Sequence, residues 1–275
     1  MFKKLHQHLG VGYIRTSKTN VSLYITSLSD IVNVLFPIFE ECPLRYGKLK
    51  SYLMFKEVVN KMLNKEHLKL EGLLEIIDIC YFMNKETSTR TTETKKKLIE
   101  FLKDKHGSLP IISSVALPSE EKPTFNQKAL NLDFVTGLID GDGSFNVSFQ
   151  YKPYRRVRVN FTVVQETANK EVLNELIVFF GCGKVYDLSS AASRYQIENV
   201  DLMLENIAPI LKEATFNTQK NGHYETIVKV SEIIKTKGYK SNDVFKEIIE
   251  LAYDTNKLGK RRRLTKQEFI ENTMK

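Results

Sequence analysis

Two carboxylates, Asp140 and Asp142, stand two residues apart in the stretch FVTGLIDGDGSF (134–145), where an apolar run gives way to alternating sequence. Acids at the end of a helix are unfavourable on their own, because the macrodipole is negative there and opposes a carboxylate by about 0.3–1 kcal/mol. A divalent cation offsets that cost, and two such helix ends side by side would bind one. Gly137 and Gly141 are four apart and share a helix face, so a partner helix can approach closely. An EF-hand is excluded by spacing: counted from Asp140, the sixth position is Phe145 rather than Gly and the twelfth is Tyr151 rather than Glu. The plainer alternative is a helix stop followed by an Asp-Gly turn.

The elements that must position these acids are legible from periodicity. LNLDFVTGLID reads as a helix with Asn or Asp near its start. SFNVSFQY and RVRVNFTVVQ alternate as half-buried strands, joined by a turn around 152–155. NKEVLNELIVFFG is an amphipathic helix closed by Gly181. Two short strands follow, KVYDL and SRYQIE, and then the helices VDLMLENIAPILKEA and HYETIVKVSEIIKTK. The order is helix, two strands, helix, two strands, helices: an α+β unit with one antiparallel sheet.

Part of this unit occurs twice. LGVGYIR (9–15) resembles FGCGKVY (180–186) at an offset of 171, and FPIFEECPLRYGKLK (36–50) aligns with APILKEATFNTQKNG (208–222) at 172. Pro37 meets Pro209 and Lys48 meets Lys220, and a loop differing by one residue accounts for the changed offset. With it, Leu23 and Ile25 pair with Tyr195 and Ile197. Asp142 lies 39 residues before Gly181, so its counterpart would fall upstream of Met1. The first copy is therefore expected to lack its motif helix and first two strands. The organisation read from the sequence is a truncated first repeat (1–84), a linker (85–130) with one helix at KKKLIEFLKD, and a complete second repeat (131–275). Within the second repeat KLGKRRRLTKQ forms a basic tract, read either as a solvated tail or as a phosphate contact.

Composition bounds the function. The 275 residues are 42% hydrophobic and 27% charged, values of a folded chain. No apolar run has the length of a membrane span, and the N-terminus has no signal-peptide core. Cys42, Cys80 and Cys182 are far apart with no CxxC pair, which argues against structural zinc and a disulfide framework. The five histidines form no metal-ligand spacing, and His6 and His8 are read as surface residues. A net charge of +8 favours a polyanionic partner, of which nucleic acid is the usual one.

VTGLIDGDG (135–143) resembles the LAGLIDADG signature, and the helix–strand–strand–helix order after it is that of the LAGLIDADG homing endonucleases. NKEHLKLEGLLEII (64–77) is similar to the helical segment closing the first repeat in fungal mitochondrial members. The resemblance implies two pseudo-symmetric αββαββα half-domains, each an antiparallel sheet packed on helices. It implies a metal-dependent double-strand cut, with Mg²⁺ or another divalent cation, at a long asymmetric DNA site. By resemblance Asp142 is the catalytic metal ligand and Asp140 structural. Gln165 orders active-site water, and Lys48 and Lys220 line the site. The family uses an acid from each of two motif helices and this chain shows one, so the expected activity is that of a pseudo-dimer with the first motif supplied. The resemblance also implies an organelle-encoded, mitochondrial protein without a targeting peptide.

Each sheet buries one face and frees the other. Phe145, Val147, Phe149 and Tyr151 are expected inward, with Ser144, Asn146, Ser148 and Gln150 outward. Val157, Val159, Phe161 and Val163 are expected inward, against Arg156, Arg158, Asn160 and Thr162. Tyr13, Arg15, Lys184, Tyr186, Arg194 and Gln196 extend the outer face. Arg, Asn, Gln and Ser/Thr are the residue types that contact base edges and phosphates in a major groove. Double-stranded DNA is the expected partner. A maturase binding intron RNA and an inactive DNA-binding remnant are the alternatives.

Overall fold

Strict alternation in 143–150 and 156–166 builds the sheet of the second half, and glycines at two helix ends turn the chain into it. The computed structural model describes residues 1–83, 91–110, 129–255 and 264–274. It divides into two compact units, Met1–Asn126 and Gln127–Lys275. The second unit opens with α7 (Leu132–Asp142), capped by Asn131, whose side chain accepts from the Phe134 N–H. Then come β3 (Gly143–Gln150), β4 (Arg156–Glu166), a 3-10 turn (Thr167–Asn169) and α8 (Lys170–Phe180). β5 (Lys184–Asp187) and β6 (Ala192–Ile197) complete an antiparallel sheet of order β3-β4-β6-β5. The predicted α+β order is borne out.

The inward residues form the core. Phe145, Val147, Val159, Phe161, Val163, Tyr195 and Ile197 are almost fully buried, as are Leu173, Leu176 and Phe180 of α8. Phe145 and Phe161 face each other across β3 and β4 and stack with centroids 4.7 Å apart. Beyond an interrupted helix, the unit ends with the longer helices α11 (Lys220–Lys237), α12 (Asn242–Ala252) and α13 (Lys266–Met274). Arg155 ties the end of this unit together. Its guanidinium donates to the Lys240 and Thr273 carbonyls, both at 3.0 Å, and lies over the Phe245 ring.

In the first unit α1 (Phe2–Leu9) leads to a two-stranded sheet, β1 (Tyr13–Thr16) and β2 (Val21–Tyr24). The internal repeat is visible in backbone geometry. Gly10 and Gly181 both close their helices in the left-handed conformation, at φ 69° and 67°. Gly12 and Gly183 follow at φ 81° and 101°. Tyr13 pairs with Tyr24 as Lys184 pairs with Gln196, and Arg15 pairs with Ser22 as Tyr186 pairs with Arg194. This is the register that the two offsets require.

The next helix of each unit is interrupted in the same way. In the first, α2 (Leu28–Asp30) passes through a π-helical turn (Ile31–Leu35) into α3 (Phe36–Glu41). In the second, α9 (Val200–Leu202) passes through a π-helical turn (Met203–Ile207) into α10 (Ala208–Leu211). Pro37 and Pro209 are the cause. Proline has no N–H to close the i→i−4 bond, and the wider turn before it absorbs the mismatch. VDLMLENIAPILKEA is thus a bulged helix rather than the regular one its pattern predicts.

The first unit continues with α4 (Tyr46–Leu63), a 3-10 turn (Glu66–Leu68), α5 (Leu70–Met83) and α6 (Thr92–His106). The helix expected at KKKLIEFLKD is α6, and it is not free linker: Leu102 is buried against Leu74 and Ile77, and Lys95 bonds Asp78 at 2.8 Å. Pro118 and Pro123 of the expected linker, and most of the basic tract 257–267, lie outside the described residues. Among the described residues, no helix is long and apolar enough to cross a membrane.

Candidate active site and nucleic-acid face

The motif helix α7 has two unlike sides. Val135, Thr136, Ile139 and Asp140 are buried, whereas Gly137, Gly141 and Asp142 are exposed. A Cβ built on Gly137 or Gly141 would meet no heavy atom within 4 Å. The small-residue face is therefore open within its unit, as a face meant for a second helix would be. At Gly143 the situation is reversed. A Cβ there would fall 2.7 Å from the Ile139 carbonyl, so only glycine lets the helix turn directly into β3.

The two aspartates have different work. Asp140 is buried and accepts from the Asn217 backbone N–H at 2.7 Å and from the Thr218 hydroxyl at 2.5 Å. It thereby anchors the loop before α11 to the motif helix. Thr218 in turn accepts from the Lys220 N–H at 3.2 Å. Lys220 is the first residue of α11, and its ammonium donates to the Gly143 carbonyl, next to Asp142. Asp142 is exposed at the helix end and accepts from Gln165 Nε2 at 2.6 Å. Gln165 sits at the end of β4, which packs against α7. The fold thus gathers Asp142, Gln165 and Lys220 from three separate stretches.

The electrostatics follow from placement. Burial lowers the proton affinity of Lys220, while the charges of Asp140 and Asp142 act in the opposite direction. The positive charge beside Gly143 also compensates the negative end of α7. His223, one turn further along α11, is likewise pushed down, first by burial and then by the Lys220 charge. Lys48 takes the matching place in the first unit, exposed in the first turn of α4. His6 is half-exposed, with its Nε2 2.9 Å from the Gly12 carbonyl, and His8 is exposed.

The outer sheet face of the second unit carries the polar residues in rows. Ser144, Thr162, Gln196 and Lys184 form one row across all four strands. Asn146 faces Asn160, Ser148 faces Arg158 and Gln150 faces Arg156. Val164, Arg194 and Tyr186 form another row. Most of these side chains are exposed or half-exposed, and Thr162 is buried beneath its neighbours. Gln150 bonds the Lys152 carbonyl, and Gln196 bonds Glu198 at 2.7 Å. Asn160 Oδ1 and Arg194 Nε are shielded from water and have no hydrogen-bond partner among the described residues. Unpaired polar atoms closed to water in this way are costly. Tyr13 and Arg15 lie exposed on the hairpin of the first unit.

Sequence reasoning missed Asn217 and Thr218, because a partner 77 or 78 residues away leaves no local signal. It also passed over Tyr24, although alternation in VSLY places it beside Tyr13 on the outer face.

A family model described as LAGLIDADG endonuclease matches residues 1–59 and 135–231. The chain is 42% identical over 226 residues to probable intron-encoded DNA endonuclease 1 of Mycosarcoma maydis, spanning 81% of this chain and 80% of that protein. It is 22% identical over 246 residues to probable intron-encoded endonuclease 2 of Neurospora crassa, spanning 88% of this chain and 52% of that protein. Among solved structures, a point mutant of I-SmaMI superposes with a TM-score of 0.79 at 23% identity, over 93% of this chain and 83% of that one. I-SmaMI bound to cleaved DNA matches with a TM-score of 0.77 at 24% identity, over 93% and 82%. I-SmaMI bound to uncleaved DNA target in the presence of calcium ions matches at 0.78 and 23%, over 92% and 83%.

Proposed function

The chain belongs to the LAGLIDADG endonuclease family, and from that premise we propose that it is a site-specific double-strand DNA endonuclease of the homing type. The carrying observation is the convergence of Asp142, Gln165 and Lys220 at the end of the motif helix. The reaction is hydrolysis of one phosphodiester bond in each strand.

The donor set fits a hard divalent cation such as Mg²⁺. Asp142 offers an exposed carboxylate, and among the described residues no three His, Cys, Asp or Glu side chains converge. Mg²⁺ is held in this manner, by one or two carboxylates with substrate phosphate oxygens and water filling the rest. When bound, the cation supplies charge neutralisation and a lowered water pKa. Gln165 fixes the orientation of the Asp142 carboxylate and presents an amide to the attacking water. Lys220, half-buried and held by the Gly143 carbonyl, offsets charge developing on the phosphate. Asp140, through Thr218, keeps Lys220 in place.

A second motif helix supplies the second carboxylate in this reading, so that the working unit is a pseudo-dimer within one chain. The outer sheet faces bind the duplex, phosphates through Arg and Lys and base edges through Asn, Gln and Ser/Thr. The setting is the mitochondrion, with the gene in an organellar intron.

The test is cleavage of duplex DNA carrying the intron-less junction, by the chain alone and by the chain joined to a first motif helix, with and without Mg²⁺. The expected result is cleavage that needs Mg²⁺ and is abolished by Asp142→Asn while DNA binding persists. Absence of cleavage by both forms, with intron-RNA binding that survives Asp142→Ala, would replace this reading with a maturase.

A further inference from the structure

The repeat allows the two outer sheet faces to be compared position by position, and they differ in chemistry. In the second unit the row nearest the start of β5 is Lys184 and Gln196, continued by Thr162 and Ser144. All four are hydrogen-bonding residue types, and Thr162 is buried among them. In the first unit the equivalent pair is Tyr13 and Tyr24. Their rings stack at 5.5 Å with planes 16° apart. They are 53% and 39% exposed, although they are large apolar groups. Arg15, on the same strand and the same face, is also exposed.

A cross-strand aromatic pair steadies a two-stranded ribbon, which is a sufficient reason for stacking. It is not a reason for presenting both rings to water in the row that, one repeat later, holds Lys184 and Gln196, even though Tyr186 adds one exposed ring to the next row of that face. Rings flanked by a guanidinium on a basic protein suit a polyanion that also has an apolar feature to read. In a duplex major groove that feature is the 5-methyl group of thymine, the one apolar marker among the base edges.

We propose that the stacked Tyr13–Tyr24 pair is a specificity determinant, which selects thymine at the base pairs covered by the first unit through contact with its methyl group. This rests on the DNA reading above and adds to it. At this row the second unit reads by hydrogen bonds, and the first reads by apolar contact. Arg15 holds the adjacent phosphate and sets the height of the rings over the groove floor.

The experiment begins with selection of binding sites from a randomised duplex library by the full chain at fixed salt. Each thymine of one selected duplex is then replaced in turn by deoxyuridine, which deletes only the methyl group. For the wild-type chain, one or two replacements should weaken binding about fourfold, the factor for losing one buried methyl group. Tyr13→Ala and Tyr24→Ala should bind thymine and deoxyuridine duplexes equally. Tyr13→Phe and Tyr24→Phe keep the ring and should keep the methyl dependence. Lys184→Ala should weaken binding to all duplexes and leave the methyl dependence in place. The inference is overturned if every deoxyuridine duplex binds the wild type as tightly as its parent. It is equally overturned if the alanine variants retain the wild-type dependence. Failure to enrich any duplex would instead remove the DNA reading, and this inference with it.

Discussion

Asp140 and Asp142 are chemically identical and two residues apart, yet their replacement by alanine should have opposite consequences. Asp140 is buried and makes two charge-assisted bonds, to the Asn217 N–H at 2.7 Å and to the Thr218 hydroxyl at 2.5 Å. Bonds to an ionised group contribute about 1.5–3 kcal/mol each. Asn217 lies on an exposed loop, so water recovers part of its loss and the lower figure applies. Asp140→Ala should therefore destabilise the second unit by about 3 kcal/mol, or about 6–12 °C for a unit of roughly 150 residues. Asp142 is exposed, bonds only the Gln165 amide among the described residues, and sits where the helix dipole opposes it. Asp142→Ala should change stability by about 0.5 kcal/mol or less, typical of surface sites, while abolishing cleavage.

Asp140→Asn should fall between the two. Its amide can still accept from Asn217 and donate to Thr218, at the cost of converting two charge-assisted bonds into neutral ones. The assay is urea and thermal unfolding followed by circular dichroism, with duplex binding and cleavage measured on the same preparations. Equal stability of the two alanine variants would refute the division of roles, as would a loss for Asp140→Asn as large as for Asp140→Ala. A Thr218→Val variant combined with Asp140→Ala should show strong non-additivity, because both remove the same bond.

Gly183→Ala would place a Cβ 2.4 Å from the Tyr195 ring at φ +101°, and should cost about 3 kcal/mol by overpacking and backbone strain; Gly10→Ala, strained at φ +69° but with open space around it, should cost about 1 kcal/mol in the same unfolding assay. His223 has a folded-state pKa depressed below its ordinary 6.5, so the neutral form is favoured in the native state. Its contribution to stability is fully present above pH 6.5 and is lost as pH falls through the depressed value. His223→Gln should accordingly flatten the decline of unfolding free energy on the acid side, and an unchanged slope would contradict this. Arg155→Met should release the carbonyls of Lys240 and Thr273, so that limited proteolysis cuts near α13 sooner than in the wild type.

Much of the site was legible because it lies in local pattern. The alternation of 144–150 and 156–163 gave both strand faces, and Asn131 and Gly181 marked helix ends that hydrogen bonding makes compulsory. The repeat was legible because glycines at 10, 12, 181 and 183 are demanded by positive φ, which few other residues accept. The π-helical turns were not read, although Pro37 and Pro209 were aligned. A proline inside an apolar helical pattern announces a disturbance but not whether the helix stops, kinks or widens. The attachment of α6 to the first unit was missed for a similar reason. Its polar, Thr- and Lys-rich sequence resembles a linker, and only the burial of Leu102 against α5 decides otherwise.

By itself the sequence determined the family, the order of elements, the position of Asp142 at a helix end and the pairing of Lys48 with Lys220 in the repeat. The first three depend on residue types at short spacing, which periodicity and steric rules convert directly into local geometry, and the lysine pairing depends on the repeat itself, at an offset of 172. The family resemblance implied that Asp140 is structural, but only the tertiary structure showed what it holds, because that depends on what loop 216–219 brings to the far side of α7. The tertiary structure alone placed Lys220 on the Gly143 carbonyl and Gln165 on Asp142, and stacked Tyr24 on Tyr13. Those relations join residues distant in the chain, and the force that joins them is burial of the shared core, which a linear reading does not contain.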